Sequence, residues 1–496
     1  MMVLPLCVAA QAAEGQLEIR VIDKETRKPV ACRMHLKTAN GRPRVVKKLT
    51  AWDDHFVIPG KVLLRLPLGN YTFELERGPE YPVVSGRFTL GKYADDSKEI
   101  ELPRHVDMSS RGWWSGDLDV RRPVRDIELV MAGEDLHVVP LVTWWNRPSE
   151  RTAEKPPSEP LLRFGESRLC QVLGGQQARP GATLSYFNLP SPIRLGSPSA
   201  EYPPTSQYVQ QVRKHPGAWI DATRPYWWDL PMLVALGEVD SIQVAHGDMC
   251  RAKLLVPQPG GKPRDEKLYA NVRGIGQWSH DAYFHFLNCG LRIPPSAGSG
   301  SGVSPNPAGY NRVYVHVDGP LTYEKWWEGF RAGRVTVTNG PLLEPSVNGE
   351  LPGHVFEGPA ERPVEFEIAL TLSTREPIHY LEIIKDGHVE HEVRFDDYRQ
   401  GGRLPKVRFE ESGWFLVRAV TDLPSTYRFA MTGPYYVRMG DRPRISKRSA
   451  QFLLNWVEER RRQIEVEDPK ERAEVLRFHE KAREFWLDLV SKANAE

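Results

Sequence analysis

No stretch beyond the first dozen residues approaches the ~18 consecutive apolar side chains that a membrane-spanning helix needs, so a helical membrane span is excluded. Charge of one sign is not in excess either. With 66 basic and 64 acidic residues the formal net charge is +2, which leaves no electrostatic footprint for nucleic acid or an anionic lipid surface. Cysteine is scarce: five in 496 residues, widely spaced and without a Cys-x-x-Cys pair, which argues against a zinc knuckle and a thioredoxin-like redox site. Cys7 lies in the N-terminal apolar run, and two readings stay open for Cys32, Cys170, Cys250 and Cys289: a single Cys250–Cys289 disulfide in an oxidising compartment, or four buried free thiols. Internal repeats and low-complexity tracts are also missing, so neither a solenoid nor a disordered chain is expected.

What is present suits a large folded protein. Apolar residues make up 40% and charged residues 26%, enough to bury cores, and the length implies two to four domains. The 42 prolines and 40 glycines follow no period, as expected for many turns between short strands. Met1 to Ala13, MMVLPLCVAAQAA, is a short apolar run ending in small residues before the polar Glu14-Gly15-Gln16. That pattern is the end of a secretory signal peptide with an Ala-x-Ala-like site, and it implies a secreted or periplasmic protein. The same run without a basic start also fits a frayed apolar N-terminus.

The rest of the chain divides by its periodicity. From 14 to 102, segments such as LEIRVID and KVLLRLPLGNYTFELERG alternate with period two between turn residues, predicting a small antiparallel β-sandwich. This stretch resembles the exported sandwich modules that precede catalytic domains in carboxypeptidase-regulatory-type proteins, a resemblance that implies a positioning role. From 103 to 341, strand-like HVVPLVTWW and SIQVAH alternate with helical PYWWDLPMLVALG and TYEKWWEGFRAG, predicting an α/β barrel-like central domain whose ligands sit on the loops after the strands. A second β-sandwich is expected over 342–440, and C-terminal helices over 441–496, the last with Pro469 near its start and an apolar stripe of Val475, Phe478, Ala482, Phe485 and Leu489.

Three frames in the central domain carry a resemblance. Gly116-Asp117-Leu118-Asp119-Val120-Arg121, Thr143-Trp144-Trp145-Asn146 and Ala297-Gly298-Ser299-Gly300-Ser301-Gly302 occur in that order. They resemble the metal-binding motifs of the PHP superfamily (polymerase and histidinol phosphatase), in its carbaryl-hydrolase-like branch. The family's pattern at these frames is Gly-Asp-Leu-His-x-His, Thr-Asp-His-Asn and Ala-Gly-Ser-Asp-x-His. Here Asp119 and Arg121 stand at the first two histidine positions, Trp144 and Trp145 at the next Asp-His, and Gly300 and Gly302 at the last Asp-x-His. A glutamate of the family falls at Gln176 or Gln177. An indole offers no lone pair to a cation, and Arg121 brings a fixed positive charge. The resemblance therefore implies a metallohydrolase fold with its metal site dismantled, since hydrolysis there depends on two or three cations held by His and carboxylate clusters.

Other groups at the same mouth are candidates. His246 and Asp248 follow the strand-like SIQVA run, and with Asp117 and Asp119 they make either a small cluster for one divalent ion or a structural network in which Arg121 and Arg122 satisfy the carboxylates. One ring of the Trp144-Trp145 pair should face the mouth, because neighbours on a strand point to opposite faces, and an exposed indole suits stacking on a sugar or an aromatic ligand. Asn146 completes that frame, and Arg312, after a long polar loop, is positioned to meet an anionic group. His137, His280 and Asp281 have no metal-ligand spacing. The preferred expectation is an exported protein that binds a small molecule or carbohydrate without catalysis or a tightly bound metal; the alternatives are a relocated metal-dependent hydrolase and a structural protein of the cell envelope.

Overall fold

The computed structural model describes residues 14–46, 48–92, 95–146, 159–197, 199–255, 260–360 and 362–496. Met1 to Ala13, the segment expected to be a signal peptide, lies outside them. By compactness the chain forms two units, one up to Val106 together with Glu128–Asp135, the other comprising Asp107–Ile127 and Leu136–Glu496. The protein is mostly sheet, with several sheets and helices.

In the first unit, the strand Glu14–Asp23 pairs antiparallel with Lys61–Pro67 and parallel with Asp95–Leu102. A five-stranded sheet, built around Cys32–Thr38 and Gly69–Glu76, supplies the other half. Alternation decides which side chains meet. Leu17, Ile19 and Val21 of the first sheet and Met34, Leu36, Phe73 and Leu75 of the second share one apolar core. The parallel pair departs from the all-antiparallel expectation. Glu128–Asp135, in the segment assigned to the central domain, also belongs here: Arg33 binds Glu134 and Glu76, with its side chain 3% exposed.

In the second unit one sheet follows the chain through Trp113–Gly116, Val138–Trp145, Arg168–Arg179, Ala182–Phe187, Trp219–Ala222, Ser241–Ala245 and Pro295–Ala297. Its pairs are parallel except around Ala182–Phe187, which runs against both neighbours. Beyond Pro295–Ala297 the backbone also bonds the segment after Trp113–Gly116: Leu118 N–H donates to Ala297 O at 3.0 Å, and Arg121 N–H to Ser301 O at 2.7 Å. The other edge continues through Arg312–His316 and Val335–Thr338 into Phe429–Thr432 and Gly413–Thr421. The boundary expected near 341 is therefore not a break in the sheet, because Thr336 and Thr338 pair with Thr432 and Ala430.

The terminal helices span Lys447–Gln463 and Pro469–Lys492. Ser446 caps the first through Ser449 N–H; Asp468 caps the second through the N–H groups of Lys470 and Glu471, with Pro469 in its first turn. Val475, Phe478 and Ala482 are buried as expected. Trp486 is the fully buried side chain further on, donating Nε1–H to Pro231 O, while Phe485 and Leu489 are only partly covered. Among the described residues the four cysteines, Cys32, Cys170, Cys250 and Cys289, are buried free thiols, so the Cys250–Cys289 disulfide is not formed.

Candidate functional site

The strand ends of the second unit surround a cavity of about 150 Å³. Asp119, Arg121, Trp145, Asn146 and Asp248 line it, as do Gly300 and Gln176. Residues from three sequence frames, up to 181 positions apart between Asp119 and Gly300, thus share one wall.

Asp117 is fully buried and does not reach the cavity wall. Its carboxylate accepts the N–H groups of Asp119 at 3.0 Å, Ser299 at 3.0 Å and Gly309 at 2.6 Å. The expectation that Arg121 and Arg122 satisfy it is corrected: backbone donors do, and they tie the first frame to the third. Burial pushes its carboxyl up to about 6, against hydrogen bonds that favour the ion. Asp119 is the residue that faces the cavity. Its Oδ1 accepts from Gln176 Nε2 at 3.2 Å and lies 3.6 Å from Arg121 Nε, while the Arg121 guanidinium sits 5.8 Å from the centre of the Trp145 ring. Guanidinium, carboxylate and indole thus lie side by side on the cavity wall.

Asp248 is claimed by another arginine. Arg224 donates Nε–H and an Nη2 hydrogen to its two oxygens at 2.6 and 2.7 Å, and Tyr226 adds its hydroxyl at 2.6 Å. Although burial opposes the ion, this fork holds the Asp248 carboxyl below the usual carboxylate range. His246 is neutral for a reason that the hydrogen bonds supply. Ser279 gives its single proton to Ile275 O at 2.7 Å, so His246 Nε2 must donate to Ser279 Oγ at 2.9 Å, and Nδ1 carries a lone pair. That lone pair lies 3.6 Å from Asp248 Oδ2 and makes no ion pair; burial lowers the imidazole to about 3. Asp117, Asp119, His246 and Asp248 therefore do not assemble into a ligand set.

Trp144 and Trp145 divide as strand neighbours do. Trp144 packs on the sheet, its ring 6.3 Å from that of Tyr186 and its Nε1–H on Leu173 O, so only Trp145 faces the cavity. Asn146 clasps the backbone of Ala178 with both ends of its amide, at 2.9 Å each, and positions the wall. Arg312 is 1% exposed, donates to Gly309 O at 2.5 Å and does not line the cavity, which corrects its expected role toward an anionic ligand. In the third frame Gly300 has φ +65° and Gly302 φ +97°, a region that disfavours other residues. His137 bonds Ser115, His280 Nδ1 accepts from Arg418, and Asp281 accepts from Tyr269, so each is engaged in the interior and away from the cavity.

Three residues escaped the sequence reading. Arg224 and Tyr226 follow the Trp219–Ala222 strand, the position that should have flagged them. Asp221, on that strand, is fully buried and accepts from Ser241 and Ser296 at 2.5 Å and from Gln243 Nε2 at 2.7 Å. Burial pushes it up to about 7, and the Asp119 charge adds to the rise. Among the described residues, one group of three His, Asp or Glu side chains lies within metal-ligand reach: His35, Asp54 and His55, in the first unit. Arg33 Nε–H donates to His35 Nε2 at 3.1 Å, which places the His35 proton on Nδ1, facing Asp54 Oδ1 at 3.1 Å. His55 Nδ1 lies 3.3 Å from the same Asp54 oxygen, so the carboxylate joins the two imidazoles. A larger groove of about 840 Å³ runs along the Lys447–Gln463 helix; on its wall Tyr269 bonds Asp281 and His285 bonds Ser449, and Asp386, His388, Lys447 and Arg448 line it as well.

No family model matches the chain, and no curated protein matches it. Among solved structures, the Bacillus anthracis TIE protein aligns at 18% identity over 23% of this chain and 20% of that chain, with a TM-score of 0.16. A likeness of that size carries no argument about fold or function.

Proposed function

We propose that the second unit contains an α/β barrel-like domain related to the PHP metallohydrolases, in which the ancestral metal site has become a non-catalytic ligand cavity, and that the protein is exported. The barrel reading is supported by the chain-ordered, mainly parallel strands and by the backbone bonds from Leu118 and Arg121 to Ala297 and Ser301 across the two ends of that run. One observation carries the functional reading. Residues from each matched frame, among them Asp119, Arg121, Trp145 and Gly300, line a single cavity, and its charged side chains lie in opposite pairs: Asp119 with Arg121, Asp248 with Arg224.

A catalytic divalent ion needs three or more protein ligands. These frames offer it Asp119, an arginine, two indoles and two glycines. Purified full-length protein should hold no stoichiometric zinc, manganese or iron by plasma mass spectrometry, and should hydrolyse neither phosphate nor carboxyl esters. Bound metal at one equivalent, with hydrolysis abolished by Asp119→Ala or His246→Ala, would sink the reading. Export is tested separately by N-terminal sequencing of protein recovered outside the cytoplasm; retention of Met1 overturns it.

A further inference from the structure

We infer that the cavity receives the terminal ring of a neutral sugar or a similar cyclic polyol, an inference that rests on the reading that the cavity binds a ligand in place of metal ions. Three observations select this chemistry. Asp119 is 6% exposed, and only its Oδ1 is engaged, by Gln176 and Arg121; among the described residues nothing donates to Oδ2. A carboxylate oxygen on the wall of a cavity calls for a hydrogen-bond donor there. Arg224 commits Nε and Nη2 to Asp248, so its Nη1 has no carboxylate or carbonyl acceptor among the described residues and calls for an acceptor. Trp145 lines the same wall, half-buried, beside Val303, which is 57% exposed, and Pro305.

Charge and size narrow the class. Among the described lining residues, Arg121 and Arg224 match Asp119 and Asp248 in number, so their formal charges cancel. A net anion would meet the open oxygen of Asp119, and a metal cation would meet two guanidiniums. The volume of about 150 Å³ is that of about five water molecules in the liquid, room for one small ring. A ring hydroxyl both donates and accepts, so adjacent hydroxyls on one ring can serve Asp119 Oδ2 and Arg224 together. The C–H face of such a ring lies flat on an indole. A free amino acid offers the same donor and acceptor only as full charges, whose desolvation a buried site must offset.

The test uses purified full-length protein, isothermal titration calorimetry and saturation-transfer NMR against a panel of neutral pyranoses and cyclitols, uronic acids and free amino acids. A neutral ring should bind saturably, with transfer concentrated on the C–H protons of one ring face. Asp119→Asn should weaken it at least about tenfold, the loss expected for a hydrogen bond to a charged group. Trp145→Ala, at a half-buried position, should abolish the transfer while circular dichroism stays that of the wild type. The inference fails if no neutral ring binds, if both variants bind as the wild type does, or if uronic acids or amino acids bind better than neutral rings. Stoichiometric metal with ester hydrolysis would overturn the preceding reading whatever the sugars do; a metal-free protein that binds no ring overturns this inference alone.

Discussion

Replacing Asp221 by asparagine should make the protein less sensitive to alkaline pH. Asp221 is fully buried among Ser241, Ser296 and Gln243, and burial raises its carboxyl to about 7. In the unfolded chain the same group titrates near 3.9. Its folded value is the higher, so the stability it contributes is complete below about pH 4 and is lost as pH rises through about 7. At 1.36 kcal/mol per unit the full loss is about 4 kcal/mol, of which about 3 kcal/mol falls between about pH 5 and pH 8. The amide cannot ionise. Its nitrogen can donate to Gln243 Oε1, a buried atom that accepts no hydrogen bond, once the Gln243 amide turns by half a rotation. Urea titrations of wild type and Asp221→Asn, followed by tryptophan fluorescence, measure this directly, because every tryptophan except Trp52 lies in the second unit. The wild type should lose about 3 kcal/mol relative to the variant between those two pH values, and contributions from other titrating groups cancel in the comparison. Parallel pH profiles would refute the reasoning, since they would mean that the three partners hold the ion as well as water does.

Three further outcomes follow from the same geometry. Arg224→Met leaves the Asp248 carboxylate, 1% exposed, with Tyr226 as its main partner, and should cost about 3–5 kcal/mol in chemical denaturation; adding Asp248→Leu should recover much of it. Gly116→Ala places a Cβ 2.4 Å from the fully buried Trp326 ring and should lower stability by about 1–3 kcal/mol, read as a reduced melting temperature. His246 has its imidazole depressed to about 3, so the stability it contributes is present above about pH 6.5 and lost as pH falls; His246→Gln should remove about 2 kcal/mol of the acid sensitivity between about pH 6.5 and 4.5.

Some of this was legible from the chain alone. Strands such as Glu14–Asp23 and Lys61–Pro67 announce themselves by alternation, and the terminal helix by its Asp468-Pro469 start, because these signals arise between residues a few positions apart. The frames around Asp119, Trp145 and Gly300 were visible as separate motifs, and that they carry few side chains able to bind a metal is a property of the residues themselves. Which buried charge meets which partner was not legible. Asp117 is held by the N–H groups of Ser299 and Gly309, 182 and 192 residues away, where the nearby Arg121 and Arg122 looked sufficient; Asp248 pairs with Arg224, which no motif marked; and Arg312 turns inward to Gly309. Nor does composition reveal that one sheet passes the expected boundary at 341 through the pairing of Val335–Thr338 with Phe429–Thr432. The physical reason is the same in each case. A side chain's type and its local period are written in the sequence, but a buried ionisable group takes whatever donors the tertiary fold brings within about 3 Å, and those come from segments that only packing makes neighbours.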